Sequence, residues 1–553
     1  MKIGLLTNSK FVSKYVFDLV QWTVEQNNIE INHFVIQKSD LSYNESLKKV
    51  INLFKISSLK FFLRRMIYNL IIKFELILLK SFHVHNNHLK KYNMNQFIVN
   101  YFLIKPIILK NKGFFECNDY DRKKIQDLNL DLIIQCDFDE IIGNIINIPK
   151  FGVIRFNYGN RKINKYPPGF WEVYYNNDST TFKIQKLTEQ VNEEIVIFEG
   201  KLQTQFFYLL NQAFLYTKSN YYMKEVLRKI SLNKKLPEIK YKVLNQNSFF
   251  RKPTLFNNIY YLSSIFFKTV KKIFRKYLQK KRSRWGVAFS NQNWQNIILN
   301  KSIKIKNPVG CFLADPFLIN KFNKDFCFVE EYNYKDNKAH IAVYELNKKN
   351  YSRLGIALKE NFHISFPYVF EYQDKIYMCP ETSINKDIRL YESIKFPMKW
   401  QLSKVLMNNV DAADTMIFSY NKIWWLFTNI DLSNIGDHGS ELSIFYSETG
   451  PITDNWEPHP HNPIIINSNK ARNGGIIVKE NILYRISQKQ GFELYGKEFS
   501  INEILQLDKQ NYKEKEYLTV KPNFFKNIVG THHFHANVNY TVIDFLEISK
   551  INF

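Results

Sequence analysis

Glycine is scarce in this chain, 18 in 553 residues, so loops that cradle phosphates on bare backbone should be few. Cysteine is scarcer still. Cys117, Cys136, Cys311, Cys327 and Cys379 form no CxxC pair and no metal-ligand spacing, which excludes a zinc module and a disulfide framework. An odd, unpatterned set fits buried thiols in a reducing compartment. Long hydrophobic runs are missing too: the longest, Met66 to Leu79, is broken by Lys73 and Glu75 and is too short to span a bilayer. Met1-Lys-Ile-Gly-Leu-Leu-Thr-Asn has no cleavage-site pattern and reads as a first β-strand, not a signal peptide. The expected location is cytoplasmic.

Acidic residues are nearly missing from one region. Residues 201–282 hold 19 Lys/Arg and 2 Asp/Glu. Residues 1–282 carry 46 and 22, a balance of +24, whereas 283–553 carry 31 and 29, a balance of +2. The basicity therefore belongs to the first half and should attract anionic surfaces. Over the whole chain the composition is that of a globular protein, 45% hydrophobic and 23% charged, with 47 Phe and 33 Tyr. At about 150 residues per domain, the length implies two to four domains.

The first 40 residues alternate strand and helix: Ile3–Thr7 as a strand, Ser9–Glu25 as a helix, Ile31–Gln37 as a strand. That beginning predicts an open α/β sheet. Residues 41–115 read as a basic helical insertion. The sheet resumes at Asp131–Asp137 and Gly152–Asn157, followed by strands Thr181–Leu187 and Glu194–Glu199. Residues 203–282 read as a basic helical connector. In it, Tyr260–Lys281 sets Leu262, Ile265, Phe266, Val270, Ile273 and Phe274 on one side, with Lys268, Lys271, Lys272, Arg275, Lys276 and Lys280 among them. Such a helix suits an anionic membrane or the flank of a neighbouring domain.

From Trp285 onward the chain repeats itself. Ala314-Asp-Pro-Phe, Ser365-Phe-Pro-Tyr, Ala413-Asp-Thr-Met, Arg472-Asn-Gly-Gly and His532-His-Phe-His recur roughly 50–60 residues apart. Second and third strands follow each of the first four. One small sheet cannot bury both faces unless neighbours stack around an axis, so the repeat predicts a five-bladed β-propeller over 283–553. Trp285–Ser290 and Ile297–Ile303 are expected to complete the last blade with the C-terminal strand. Residues opening the innermost strands point toward the axis: Asp315, Asp414, Arg472, Asn473, His532, His533 and His535. Glu331 and Glu381 end second strands. Ionisable side chains there are costly unless they line a wet cavity.

Residues 1–202 resemble the methionyl-tRNA and sugar N-formyltransferase family. The resemblance rests on a strand ending near Asp137, then Ile148-Pro-Lys-Phe-Gly-Val-Ile-Arg-Phe-Asn, then Tyr166-Pro-Pro-Gly-Phe-Trp-Glu-Val and the strand from Thr180. It implies a formyltransferase-like α/β domain. However, Arg155 stands at the family's Asn position, Asn157 at its His, and Asn192 or Glu193 near its Asp. Asn157 cannot move a proton near neutrality, and Arg155 is permanently charged. This argues against formyl-tetrahydrofolate as a donor. What remains is a polar cluster of Arg155, Asn157, Asn160, Arg161 and Glu172 beside Trp171. It is either a site for a nucleotide sugar or phosphorylated acceptor, or a structural relic.

Residues 283–553 resemble the five-bladed propeller glycosidases. They are closer to the propeller at the N-terminus of glucosamine inositolphosphorylceramide transferases. The carriers are Leu313-Ala-Asp-Pro-Phe, Val329-Glu-Glu-Tyr, Phe366-Pro-Tyr-Val-Phe, Cys379-Pro-Glu-Thr, Ala413-Asp-Thr-Met and Ala471-Arg-Asn-Gly-Gly. The resemblance implies a glycan context: a transferase in surface-polysaccharide or glycolipid assembly, with a sugar or glycolipid substrate and a nucleotide-sugar donor as one option. Glycoside chemistry needs one carboxylate as base or nucleophile and another kept protonated. Asp315 is assigned the first role, Glu381 the second, and Asp414 a tuning or hydroxyl-binding role. Glu331, Arg472, Asn473, His532, His533 and His535 are assigned to substrate binding. No metal ligand set is expected. Two alternatives stay open, an amino-sugar N-formyl or acyltransferase with a glycan-binding propeller, and a non-catalytic glycan-binding protein. Nucleic acid is disfavoured by the absence of any binding motif. The basic stretches 41–115 and 201–282 suggest peripheral attachment to the inner face of a membrane.

Overall fold

The computed structural model describes residues 1–37, 56–80, 88–97, 100–104, 107–109, 114–136, 140–158, 167–189, 193–244, 253–279 and 281–550. Asp137, Asn160, Arg161, Tyr166, Asn192 and Lys280, named above, lie outside the described residues. The chain forms two compact units, Met1–Phe266 and Phe267–Phe553.

The first unit is an open α/β sheet. β1 (Lys2–Thr7), α1 (Lys14–Val24) and β2 (Glu30–Gln37) make the opening βαβ turn, and β1 pairs parallel with β2. The run Ile-Gly-Leu-Leu in β1 is buried throughout, as a central parallel strand requires. Helix α2 (Ile56–Leu78) precedes β3 (Asn100–Ile104), then α3 (Asp119–Asp127), β4 (Leu132–Gln135), β5 (Val153–Tyr158) and the short α4 (Phe170–Tyr174). Two long strands follow, β6 (Ser179–Lys186) and β7 (Glu193–Gln203), then α5 (Tyr208–Asn233), β8 (Tyr241–Leu244) and α6 (Leu255–Tyr277), whose residues from Phe267 belong to the second unit. The strand order is β8-β7-β6-β5-β4-β1-β2-β3, parallel from β5 to β3 and antiparallel from β5 to β8.

Two segments differ from their sequence reading. Residues 41–115 contain a helix, but Asn100–Ile104 is an edge strand of the sheet, paired with β2. A five-residue apolar run does not separate helix from strand by periodicity alone. The segment 203–282, read as a basic helical connector, is also not a connector throughout. Leu209, Ala213, Met223, Leu227 and Ile230 of α5 are buried, and the helix packs on β6, α1 and α4, which makes it part of the first unit.

The second unit is the five-bladed β-propeller. Among the described residues it has five sheets. Blade 1 runs from Cys311 to Leu358, blade 2 from Ser365 to Asn408, blade 3 from Ala412 to Pro458 and blade 4 from Asn473 to Val520. Blade 5 joins both ends of the unit. Lys281–Ser290 pairs antiparallel with Thr541–Lys550 along its whole length. Its second partner is Ile303–Ile305, since Leu299–Lys301 of the expected strand is a 3-10 turn. Val287, Phe289 and Val542 of blade 5 bury against Leu313, Leu318 and Tyr344 of blade 1. Asp325 accepts hydrogen bonds from the Asn537 and Asn539 side chains at 2.7 and 2.9 Å, tying the last turn to blade 1.

Closure by a shared sheet removes the open edge that would otherwise expose unpaired backbone. Truncation after Tyr540 is therefore expected to abolish the cooperative thermal transition of the propeller, measured by near-ultraviolet circular dichroism.

Candidate functional site at the propeller axis

The innermost strands of blades 1 to 4 share one irregularity. Each breaks register at the same point, between Ala314 and Phe317, Ser365 and Tyr368, Ala413 and Met416, and Asn473 and Ile476. At this bulge Asp315 and Asp414 adopt φ of 49° and 50°, the left-handed region that Asp tolerates better than most side chains. Blade 4 has Gly474 at the equivalent place, where a Cβ would lie 2.3 Å from the His532 carbonyl oxygen. The bulge re-aims a side chain that regular pleating would send into the sheet packing.

All five blades contribute to one half-enclosed pocket of about 260 Å³. Blade 1 supplies Asp315, Glu330, Phe312 and Tyr332; blade 2 Ser365 and Glu381, preceded by His363; blade 3 Asp414; blade 4 Arg472 and Tyr495; blade 5 Trp285 and His532. The structure thus brings together Asp315, Glu381, Asp414, Arg472 and His532 from the sequence-derived set.

Arg472 organises one side. Its Nε lies 2.7 Å from Asp414 Oδ2, its Nη2 3.3 Å from Asp414 Oδ1 and 3.6 Å from Glu381 Oε2. The guanidinium stands over the Tyr495 ring at 5.0 Å. Burial works to raise the Glu381 carboxyl, but Arg472 and a hydrogen bond from Ser383 help hold it below the ordinary carboxylate range. Asp414 is pushed well up by burial, against the pull of Arg472 and with Glu381 and Asp315 adding to it.

His532 organises the other side. Its Nδ1 lies 2.5 Å from Asp544 Oδ2 and its Nε2 3.4 Å from Asp315 Oδ1, with the ring stacked on Trp285 at 4.0 Å. Burial would lower this imidazole, but Asp544, joined by Asp315 and Asp414, raises it on balance. Asp315 is raised to about 6, chiefly by burial, with His532 opposing and Asp544 and Glu381 adding. Glu330 is raised well above its ordinary value by burial and by Asp315, to which it is hydrogen-bonded. Near Glu330, His363 Nε2 lies 3.8 Å away, but burial lowers that imidazole, so it brings no cation. Asp315, His532 and Asp544 offer ligand atoms within 4.8 Å of one another. Since both imidazole nitrogens already face carboxylates, a protonated ring accounts for the trio without a metal.

Other candidates lie elsewhere. Glu331 faces away from the pocket: Arg353 donates to it at 2.9 and 3.1 Å, and His340 Nε2 lies 3.1 Å from Oε1. Successive strand residues point to opposite faces, and the pocket residue is its neighbour Glu330. Asn473 is a buried clamp, donating to the Asp414 carbonyl at 3.0 Å and accepting from Arg485 at 3.3 Å. His533 is wholly buried, edge-on to Phe317 at 4.4 Å, and His535 Nδ1 accepts the Leu318 amide at 3.2 Å. Neither lines the pocket. In the first unit, Arg155 and Asn157 both donate to Gln185 Oε1, at 3.3 and 2.6 Å. Trp171 and Glu172 are buried on α4, Trp171 stacked on Tyr175. None of these four lines the pocket.

Glu330, Asp544, Trp285, Tyr495, Tyr332 and His363 were missed. The Glu330-Glu331 doublet signalled a carboxylate but not which face it takes. The lone acid in Thr541-Val-Ile-Asp-Phe-Leu was the trace of Asp544.

The architecture defines a five-bladed propeller with an acidic, aromatic-walled axial pocket. Residues 259–542, just over half of the chain, match the protein-family model described as glucosamine inositolphosphorylceramide transferase 1, N-terminal. The chain belongs to that family. Among curated proteins it is similar to glucosamine inositolphosphorylceramide transferase 1 of Oryza sativa subsp. japonica, 37% identical over 211 residues, covering 37% of this chain and 27% of the relative. The Arabidopsis thaliana protein of the same name is 35% identical over 210 residues, again 37% and 27%. The matched segment spans about a quarter of the length of these relatives. Among solved structures, the chain is similar to Zg3597, a family 117 glycoside hydrolase of Zobellia galactanivorans, at 10% identity and TM-score 0.32, covering 48% of this chain and 91% of that one. It is also similar to the catalytic domain of a Coprinopsis cinerea GH62 α-L-arabinofuranosidase, at 9% identity and TM-score 0.32, with 48% and 97% covered.

Asp544→Asn is expected to lower the His532 pKa, because burial would then act without its main opponent; nuclear magnetic resonance titration of the imidazole reads the shift.

Proposed function

We propose that the axial pocket binds a single sugar residue and that the protein is a carbohydrate-active transferase of glycolipid or surface-polysaccharide assembly. The observation that carries this reading is the meeting of differently poised carboxyls in one small cavity. Glu381 is held ionised by Arg472, while Glu330 retains its proton against Asp315. Carboxylates accept hydrogen bonds from sugar hydroxyls, and Trp285, Tyr332 and Tyr495 offer flat apolar faces to the ring. A volume of about 260 Å³ falls just below that of drug-sized ligand sites, which suits one sugar unit. The relatives are named glucosamine inositolphosphorylceramide transferases, and that name agrees with a sugar ligand.

Asp315 is the base in this scheme. With its pKa at about 6 it is ionised at neutral pH, yet basic enough to draw a proton from an acceptor hydroxyl as that oxygen attacks a glycosyl donor. Glu381 is a poor acid beside Arg472, so the proton-donating role falls to Glu330. Hydrogen-bonded carboxyls stand closer than the ~5 Å of retaining or ~6.5–9.5 Å of inverting glycosidases, which disfavours hydrolysis by this pair. The same closeness favours a second reading, a pocket that binds sugar without turnover.

Three measurements separate these. Asp315→Asn is expected to lower turnover at least 100-fold, roughly what a general base contributes, while sugar binding by calorimetry stays within a few-fold. Wild-type protein that binds sugars but forms no product from nucleotide-sugar donors by mass spectrometry would leave the binding reading alone. Turnover should rise with pH through about 6 as Asp315 loses its proton. Glu381→Gln should move that limb to lower pH, because the Glu381 charge raises Asp315.

A further inference from the structure

Helices α2 and α6 each turn one seam inward. Ile71, Glu75 and Leu79 of α2 and its continuation are buried, as are Asn258, Tyr261 and Ile265 of α6. Glu75 accepts from the Leu209 amide at 2.7 Å and from the Tyr261 hydroxyl, and Asn258 donates to the Arg64 carbonyl at 3.3 Å. These bonds fix which face of each helix is left over.

That leftover face is apolar on both. On α2, Phe62 (63% exposed), Met66, Leu70, Phe74 and Ile77 (74%) recur at helical spacing. On the part of α6 that belongs to the first unit, Phe256 (81%), Ile259 and Tyr260 are exposed as well. Contiguous apolar surface on this scale marks a docking face. The exposed charges along α2 have one sign. Arg65, Lys73 and Lys80 are exposed on α2 and just beyond it. The only acid in either helix is the buried Glu75, and no Asp or Glu occurs between Glu238 and Asp315.

We propose that α2 and α6 seat the protein on an anionic lipid surface, the aromatic and aliphatic stripe entering the acyl boundary and the cations meeting headgroup phosphates. Among the described residues no helix is long and apolar enough to cross a membrane, so the stripe lies along the interface. The charge pattern selects this occupant. A second copy would bring the same cations face to face, whereas an anionic leaflet complements them across the whole stripe. The inference stands apart from the reading of the pocket.

The full chain is tested by flotation with phosphatidylcholine vesicles, alone or with about one-third phosphatidylglycerol. Flotation with the anionic vesicles, at least tenfold above the neutral ones and weakened by salt, is expected. Lys73→Gln/Lys80→Gln should weaken it by about fivefold per cation removed. Phe256→Ser/Ile259→Ser/Phe74→Ser should abolish it, whereas Phe256→Leu/Ile259→Leu should keep it. Circular dichroism checks the fold of each, and if the Ser variant fails to fold the Gln variant carries the test. Equal flotation with neutral vesicles, unchanged flotation of the Gln variant, or a dimer without lipid that the Ser variant dissolves would each overturn the proposal.

Discussion

A guanidinium buried beside carboxylates cannot be separated from them without leaving charge stranded away from water, and the axis of this propeller is organised around that constraint. Arg472 comes from blade 4, Asp414 from blade 3 and Glu381 from blade 2. Three blades therefore share one ion cluster, and any slippage of one sheet past another would unpair it. Asn473 and Gln488 reinforce the same joint by donating to the Asp414 backbone and carboxylate. The cluster is at once a structural clasp and one wall of the pocket.

The opposite wall follows a different rule. Asp315 and Glu330 face each other with no guanidinium between them, so burial and mutual repulsion keep a proton in the pair. His532, held by Asp544, limits how far Asp315 rises. Carboxyls of one type, a few side chains apart, thereby take opposite protonation states. That division of labour comes from the neighbours, not from the residue types.

The propeller was legible because its repeat is local. The Asp-Pro-Phe and Asp-Thr-Met segments, each followed by aromatic strands at fixed spacing, announce a blade before any contact is known. Closure by both ends of the unit followed from the incomplete last repeat. The βαβ opening was equally readable from β1 and α1. Asn100–Ile104 was not, because a short apolar run fits either element until a partner strand decides. Helix α5 was expected as a helix but assigned to a connector, whereas it packs into the first unit, with even Lys218 buried there.

What the sequence determined by itself was the inventory: two architectures, a basic first half, and ionisable residues placed where innermost strands begin. Only the tertiary structure chose among them. Glu330 and Glu331 differ by one step of the pleat, and that step puts one in the pocket and the other on Arg353. His532 reaches the axis while His533 and His535 pack into the ring wall, although all three lie within four residues. Parity, burial and partners from distant blades set these outcomes, because a side chain's direction and charge state depend on atoms that lie far away along the chain.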